Sequence, residues 1–185
     1  MSNGPFLMTK RLILRPTSAE DFEGWASFHA DPETMRFLGG TQNRSESWRS
    51  LCSMAGAWTI RGYAMFSLIR RDTGAWIGRI GPWYPEGWPD REVGWGLMRE
   101  HEGHGYAAEA ATAAIDYAFD VLGWHKVIHI IDPENTGSIA LAERLGSSNQ
   151  GPTKMPAPYD EFRVDAYGQT KDQWAARKSA QSQTL

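Results

Sequence analysis

Residues 102–110 read Glu-Gly-His-Gly-Tyr-Ala-Ala-Glu-Ala, and they lie where a short loop leads into a long helical stretch. Glycine at positions 103 and 105 lets the backbone turn sharply and lets a ligand approach without a Cβ atom in the way. The free N–H groups of the first helical turn, backed by the positive end of the helix dipole, suit a pyrophosphate. Because glycine pairs also occur in plain turns before helices, this stretch acquires a function only from its surroundings.

The segments on both sides of the loop predict a mixed α/β chain with a largely antiparallel first half, from hydrophobic periodicity and turn residues. Before the loop, the predicted elements are a strand at 12–14, helices after Ser18, from Pro32 and over 45–60, a hairpin of strands 63–70 and 75–84, and a strand at 91–98. After it, they are a helix over 106–122, a strand at 126–131, a helix from Asn135 to Gly146, and two weaker strands near 147–153 and 160–167. Residues 174–185 are predicted to form a loose polar tail.

The length of 185 residues fits one domain, residues 1–185, and a hydrophobic content of 41% allows a sizeable core. With a net charge of −3 and no basic stripe, the chain is not expected to bind nucleic acid. It has neither a signal-peptide pattern nor an apolar run of about 18 residues, so no membrane association is expected. A single cysteine, Cys52, excludes an internal disulfide, fits a cytoplasmic protein, and is predicted to be a small buried helical residue. Monomer and homodimer both stay open.

A second informative stretch, residues 130–147, reads IIDPENTGSIALAERLGS: a strand that ends in Asp-Pro, an asparagine at a helix start, and a helix that closes at Leu-Gly. Three further motifs precede it in order, TKRLILRP at 9–16, DPETMRFLGG at 31–40 and EVGW at 92–95. With the glycine loop, this ordered set resembles the GNAT superfamily of N-acetyltransferases, and within it the ribosomal-protein N-terminal acetyltransferase-like branch. The resemblance spans residues 9–150.

The resemblance implies an α/β (α+β) GNAT fold, with a mixed, mostly antiparallel central sheet of about seven strands flanked by helices. The sheet is expected to splay between the fourth strand, 91–98, and the fifth, 126–131. In the family, the fourth strand carries a bulge, the pantetheine arm of acetyl-CoA lies in the gap, and backbone N–H groups of the glycine loop hold the pyrophosphate. Carried over to this chain, the cosubstrate-binding residues are Leu97, Met98, Gly103, His104, Gly105, Tyr106, Ala107, Asn135 and Ser138.

Glu102 departs from the family pattern, in which arginine or glutamine is common at that place. A carboxylate that pointed inward would repel phosphate, so we expect Glu102 to face solvent. His101 and His104 have no second pair of ligands at a matching distance, so no metal site is expected. The implied cosubstrate is acetyl-CoA, without a metal.

The implied reaction needs a neutral amine, a donor for the oxyanion and a proton for the departing thiolate. The resemblance implies Ser138 as the candidate donor of a hydrogen bond or proton to the sulfur, the role of its counterpart in this branch. The tyrosine that many GNAT enzymes use is absent, since positions 142 and 143 hold alanine and glutamate. The candidate general bases are Glu92, at the start of the strand that leads to the cosubstrate, and His129, in mid-strand. Plain structural roles for Ser138 and His129, and deprotonation through a chain of waters, stay open.

The function implied by the resemblance is transfer of an acetyl group from acetyl-CoA to a primary amine of a small molecule or of a protein N-terminus. The loop at 85–89 and the helices near Trp48 and Trp58 are expected to border the acceptor cleft. Two alternatives stay open: an inactive CoA-binding sensor or partner module of the same fold, and a scaffold whose glycines only make turns.

Overall fold

One mixed sheet with helices on both faces makes up the computed structural model, which describes residues 4–182. Its strands are β1 (Leu7–Met8), β2 (Leu12–Pro16), β3 (Phe66–Arg70), β4 (Trp76–Trp83), β5 (Glu92–Leu97), β6 (Lys126–Ile131), β7 (Ser148–Thr153) and β8 (Val164–Thr170). Its helices are α1 (Phe22–Ala30), α2 (Pro32–Met35), α3 (Arg44–Arg61), α4 (Tyr106–Asp120), α5 (Thr136–Arg144) and α6 (Lys171–Ser182).

The strands follow the order β1-β2-β3-β4-β5-β6-β8-β7, and every neighbouring pair is antiparallel except β5 and β6. This confirms the expected mixed, mostly antiparallel sheet. The sheet has eight strands rather than seven because the two-residue β1 pairs with β2. So short a strand leaves no alternating pattern from which it could be predicted.

Helices α1 and α4 cover opposite faces of the sheet. Phe28 of α1 lies where a Cβ on Gly96 would project, and Gly96 pairs with Arg79. Phe66 pairs with Ile80, the next residue of β4, and its ring packs against that of Tyr117 in α4. Because side chains alternate along a strand, Arg79 and the groups beside it face α1, while Ile80 faces α4. Among residues 4–182, no helix combines the length and the apolar character needed to cross a bilayer.

A buried carboxylate fixes the start of α1 on the sheet. Asp21 accepts hydrogen bonds from the Ser18 N–H at 2.9 Å, from the Arg15 guanidinium at 2.6 and 3.0 Å, and from the Ser67 hydroxyl at 2.7 Å. Ser18 and Asp21 thus form a capping box just before α1, where a helix was predicted to follow Ser18. Since Arg15 lies on β2 and Ser67 on β3, this carboxylate ties α1 to two central strands.

The C-terminal segment is helical, so the prediction of a loose tail was wrong for residues 174–182; residues 183–185 lie outside the described part. Trp174 is only 3% exposed, and its indole Nε1 donates to the Asp116 carboxylate at 2.7 Å. An indole buries a large apolar area once its N–H has an acceptor. This buried anchor, together with the bonds from Lys171 to Asp120 and from Lys178 to Asp116, holds a helix in a segment whose polar composition predicted a tail.

Cys52 is exposed, so the prediction that it is buried was also wrong. The residues that α3 buries are Ser47, Leu51, Met54 and Trp58, which recur at helical spacing. Cys52 lies outside that stripe, and its position was judged from residue type instead of from helical phase.

The bulge expected in the strand before the glycine loop is not found in β5. Pairing with β4 is continuous from Glu92, opposite Trp83, to Leu97, opposite Gly78. The register shift in this part of the sheet lies between β3 and β4, at residues 68 and 69. The gap beside β5 therefore has another cause.

Candidate active site

Strands β5 and β6 part almost as soon as they meet. They pair only at Glu92 and Ile128, with the Ile128 N–H donating to the Arg91 carbonyl at 2.9 Å. The next inward donor on β6, the Ile130 N–H, donates to the Glu92 carboxylate oxygen Oε1 at 3.1 Å instead of to a carbonyl of β5. Beyond this point the two strands form no further pair. The splay predicted between these strands is confirmed, and a polar side chain occupies the place of strand pairing.

His129 is the second side chain that fills the space between β5 and β6. Its Nδ1 lies 2.7 Å from the Val93 carbonyl, which accepts only from a protonated nitrogen. The bare Nε2 then accepts from the Ser147 hydroxyl at 3.0 Å, and Gln169 donates to the same hydroxyl oxygen at 3.0 Å. Burial lowers the pKa of His129 to about 4, so the ring is neutral at physiological pH. Both ring nitrogens are occupied, and His129 spaces the strands.

The glycine loop lies at the far end of this gap. Gly103 and Gly105 have φ of +74° and +78°, in the left-handed region that favours glycine. Gly105 directly precedes α4. Within the described residues, no backbone N–H from 103 to 108 donates to a protein acceptor. Glu102 is exposed, as expected. A row of unpartnered N–H groups at the positive end of a 15-residue helix fits an anionic diphosphate.

Residues from the start of the chain hold this loop in place. The carboxylate of Glu109, in the first turn of α4, accepts from the Thr9 hydroxyl at 2.6 Å and from the Arg11 guanidinium at 2.6 Å. Arg11 also donates to the His104 carbonyl at 2.8 Å, and its guanidinium lies 4.5 Å from the Tyr106 ring centroid. The motifs at 9–16 and 103–110 are therefore parts of one contact.

Asn135 and Ser138 lie on the α5 side of the gap. The Asn135 side-chain oxygen accepts from the Ser138 N–H at 3.0 Å and caps α5, which leaves its amide nitrogen without a protein acceptor among the described residues. The Ser138 hydroxyl oxygen accepts from the Trp95 indole at 3.1 Å. Because that oxygen already accepts, the hydroxyl hydrogen is left to donate elsewhere.

The two residues expected to bind the pantetheine arm, Leu97 and Met98, differ in whether their backbone groups are already hydrogen-bonded. Leu97 ends β5 and is buried. Met98 donates its N–H to the Ile77 carbonyl at 2.9 Å, and its own carbonyl accepts from His101 at 2.9 Å. The N–H of Met98 is thus already in use.

Glu92 is a buried carboxyl with an unusual pKa. Only 6% of the residue is exposed, and besides the Ile130 bond its Oε2 accepts from the Trp88 indole at 2.7 Å. Burial raises the pKa of Glu92 to about 7, although those two hydrogen bonds and the charge of Arg79 act in the opposite direction. A carboxylate with a pKa near neutrality is poised to accept a proton.

Three loops meet over the face of the sheet that carries Glu92. The Tyr159 ring lies 6.5 Å from the Trp88 ring and against Gly39, and Pro156 lies against Gly87. The loop at 85–89 therefore borders this face as expected. The two tryptophans of α3 contact other groups: Trp48 packs on Phe22, and Trp58 packs on Phe66 and donates to the Met65 carbonyl.

Sequence reasoning missed Arg79 and Trp95. Arg79 is a charged residue in an otherwise apolar central strand, 76–83, and that contrast was a usable signal. Trp95 ends the EVGW motif, but nothing in the sequence indicated its bond to Ser138.

The family model described as "Acetyltransferase (GNAT) domain" matches residues 11–148. The chain belongs to the GNAT acetyltransferases. It is 33% identical over 148 residues to an uncharacterized N-acetyltransferase, p20, of Bacillus licheniformis, covering 78% of this chain and 83% of that one. A solved acetyltransferase from Agrobacterium tumefaciens str. C58 superposes with a TM-score of 0.80 at 33% identity, covering 90% and 95% of the two chains. A 55-residue stretch is 42% identical to spermidine N(1)-acetyltransferase of Escherichia coli, 30% of each chain.

The raised pKa of Glu92 predicts a pH-dependent stability difference between wild type and Glu92→Gln. The native carboxyl binds its proton more tightly than the unfolded one, whose pKa is near 4.5. Its contribution to stability is therefore full below pH 4.5 and is lost as the pH rises through 7. As the pH rises from 4.5 to 8, wild type should therefore lose about 3 kcal/mol of unfolding free energy relative to Glu92→Gln.

Urea denaturation of both proteins across this pH range measures the difference. Glu86→Gln, which removes the same charge from a fully exposed side chain, is the matched control and should follow wild type at every pH. Parallel profiles for wild type and Glu92→Gln would contradict the raised pKa.

Proposed function

We propose that this GNAT acetyltransferase transfers the acetyl group of acetyl-CoA to a primary amine by direct attack, with Glu92 as general base. The observation that carries the proposal is the gap between β5 and β6, which has unpartnered N–H groups at one end and a buried carboxyl of pKa about 7 at the other. The order of its motifs supports membership of the ribosomal-protein N-terminal acetyltransferase-like branch. The partial likeness to spermidine N(1)-acetyltransferase supports an amine acceptor.

The residues at the gap fit acetyl-CoA, which supplies an acyl group activated as a thioester. The N–H groups of Gly103 to Ala108 would bind its pyrophosphate, since a helix N-terminus stabilises negative charge. The amide nitrogen of Asn135 and the backbone of Leu97 would bind the pantetheine arm. None of these contacts requires a metal, and no cluster of metal-ligating side chains occurs in the described part of the chain.

Glu92 makes the acceptor reactive. An ammonium group cannot attack a carbonyl, so Glu92 first takes one proton from it and later passes that proton to solvent. The carbon–nitrogen bond then forms, the carbon–sulfur bond breaks, and the nitrogen loses a second proton while the sulfur gains one. The Ser138 hydroxyl donates a hydrogen bond to the leaving sulfur, and the Trp95 indole orients it for that purpose.

Free-thiol release over a panel of primary amines tests this function. With the best acceptor, Glu92→Gln should lower kcat/KM by about 100-fold or more, because an amide cannot accept the proton. Wild-type kcat/KM should rise with pH and level off above pH 7, as the free enzyme's Glu92 loses its proton. The Gln variant should lack that rise.

Two outcomes would contradict the proposal. Unchanged turnover in Glu92→Gln would remove the base from the mechanism. Thermal stabilisation by acetyl-CoA without thiol release for any amine would favour the inactive CoA-binding module instead.

Ser138→Ala should lower kcat about tenfold or more while the Kd for CoA stays within about twofold. A hydrogen bond to developing negative charge is worth about 1.5–3 kcal/mol in the transition state and little in the ground state. Single-turnover rates and calorimetric titration with CoA measure the two quantities. An unchanged kcat would assign Ser138 to the helix start alone.

Gly105→Ala should raise the Kd for CoA at least about tenfold, because the new Cβ and the strained backbone would disturb the N–H groups of the loop. Gly123→Ala is the matched control, since Gly123 has φ of +68° and open space around it, beyond the other end of α4. Each variant carries about 1–2 kcal/mol of backbone strain. Equal CoA affinities in the two variants would refute the pyrophosphate site.

A further inference from the structure

The face of the sheet that carries Glu92 also carries a guanidinium that lacks an anionic partner. Along β4, Arg79 pairs with Gly96 and Trp83 pairs with Glu92, so Arg79 and Glu92 project to the same side. Arg79 is half-buried, and none of the ion pairs formed within residues 4–182 includes it. Its positive charge lies in the region that the three loops cover.

The protein gives the Arg79 guanidinium only weak contacts. Nη1 donates to the sulfur of Met65 at 2.9 Å, and a thioether is a poor acceptor. Nε is buried and has no hydrogen-bond partner within residues 4–182. The rings of Trp25 and Phe28 each lie 5.7 Å from the guanidinium carbon. Nη2 has no acceptor among the described residues either, and this nitrogen can donate a charge-assisted hydrogen bond to a carboxylate.

Two tryptophans of the same packed group, Trp25 against Arg79 and Trp76 against Trp25, also carry orphan donors among the described residues. The indole nitrogens of Trp25 and Trp76 are buried without an acceptor, and their rings are 6.0 Å apart. Of the five buried side-chain polar atoms without a partner in the described residues, three therefore belong to this cluster, and all three are donors. Each buried unpartnered donor costs about 1–3 kcal/mol, which a bound acceptor would offset.

The neighbouring titratable groups do not neutralise Arg79. The His29 Nδ1 bonds to the Trp25 carbonyl, and burial together with the Arg79 charge lowers the pKa of His29 to about 4, so it is neutral. Glu92 carries a full negative charge only above its pKa of about 7. Burial lowers the pKa of Arg79, and Glu92 followed by Tyr159 acts in the opposite direction without reversing that shift. The cluster attracts an anion.

Met65 lies between the two charged groups. A Cβ on Gly94 would meet the Met65 methyl at 2.5 Å and the Glu92 Oε1 at 3.3 Å, while the Met65 sulfur contacts Arg79. The rows of Arg79 and Glu92 are four residues apart along the sheet, roughly 13 Å between Cα atoms. A ligand that spans them would lay an apolar segment over Met65, with one charged end at each side chain.

Resting on the proposed function, we propose that the acceptor is an amino carboxylate, whose carboxylate binds Arg79 while its ammonium group lies at Glu92. The carboxylate balances the charge of Arg79 throughout the reaction. When Glu92 takes the ammonium proton, carboxyl and amine become neutral together, and no unpaired charge stays buried. The product is the N-acetylated carboxylate. A polyamine such as spermidine would instead place a second positive charge at Arg79.

Thiol release from matched acceptors tests the inference. Each amino carboxylate is paired with its carboxamide: 4-aminobutyrate with 4-aminobutyramide, 5-aminopentanoate with 5-aminopentanamide, and 6-aminohexanoate with 6-aminohexanamide. Wild-type kcat/KM should favour at least one carboxylate by about 100-fold, because a site built for a charged partner rejects the analogue that lacks it. Arg79→Gln should remove that preference by lowering kcat/KM for the carboxylate, with the carboxamide changed less than about threefold.

Arg49→Gln, an exposed arginine of α3 that bonds only Ser45 among the described residues, is the control and should keep the preference. In a second readout, the preferred carboxylate should raise the Tm of the CoA-loaded wild type and not that of loaded Arg79→Gln. Stabilisation of Arg79→Gln by CoA itself shows that this variant is folded.

The outcomes separate the two proposals. Preference for carboxamides or for spermidine, with thiol released, would overturn the amino-carboxylate acceptor and leave the acetyltransferase function standing. If no amine releases thiol, the proposed function fails, and the Tm readout alone then decides whether Arg79 binds carboxylates.

Discussion

The active site depends on two parallel strands being held apart by side chains. Beyond their single pair, the Ile130 N–H of β6 is satisfied by the Glu92 carboxylate and the Val93 carbonyl of β5 by the His129 ring. Unpaired backbone groups at the centre of a sheet would be costly, so a gap there is stable only if other groups take up those bonds. Both side chains come from the strands themselves, and the gap needs no bulge in β5.

The position of Glu92 between β5 and β6 also explains its raised pKa. The carboxyl is buried because it fills the fork between the strands, and burial is the main cause of its raised pKa. Two hydrogen bonds to Glu92 hold that pKa near neutrality instead of far above it. A residue that spaces the strands thereby becomes a carboxyl able to exchange a proton at physiological pH. His129 differs from Glu92, because the hydrogen bonds that hold it between the strands occupy both of its ring nitrogens.

The sequence predicted the architecture well because residues of its motifs contact one another in the folded protein. Thr9, Arg11 and Glu109 form one hydrogen-bonded cluster, so two motifs that the sequence analysis linked only by their order meet in one contact about a hundred residues apart along the chain. The predictions failed where the outcome depends on which face of a helix a residue occupies, or on one buried contact. Cys52 lies off the buried stripe of α3, and Trp174 fixes a helix in a polar segment. Arg79 was missed because its unpartnered state depends on which face of β4 meets α1, and residue type alone does not give that.

On the α1 face of the sheet, no ion pair within the described part of the chain balances the charge of Arg79. Asp21, bonded to Ser67 beside Arg79 in the sheet, is already saturated by Arg15, Ser18 and Ser67 itself. Glu92 must be free to change its charge if it is to act as a base, so it cannot serve as a permanent counter-ion for Arg79. A half-buried cation beside a titrating carboxyl is therefore best balanced by an anion that arrives and leaves with the reaction. In the proposed reaction the acceptor brings that anion to Arg79, and this is why the charge of the acceptor matters to the site.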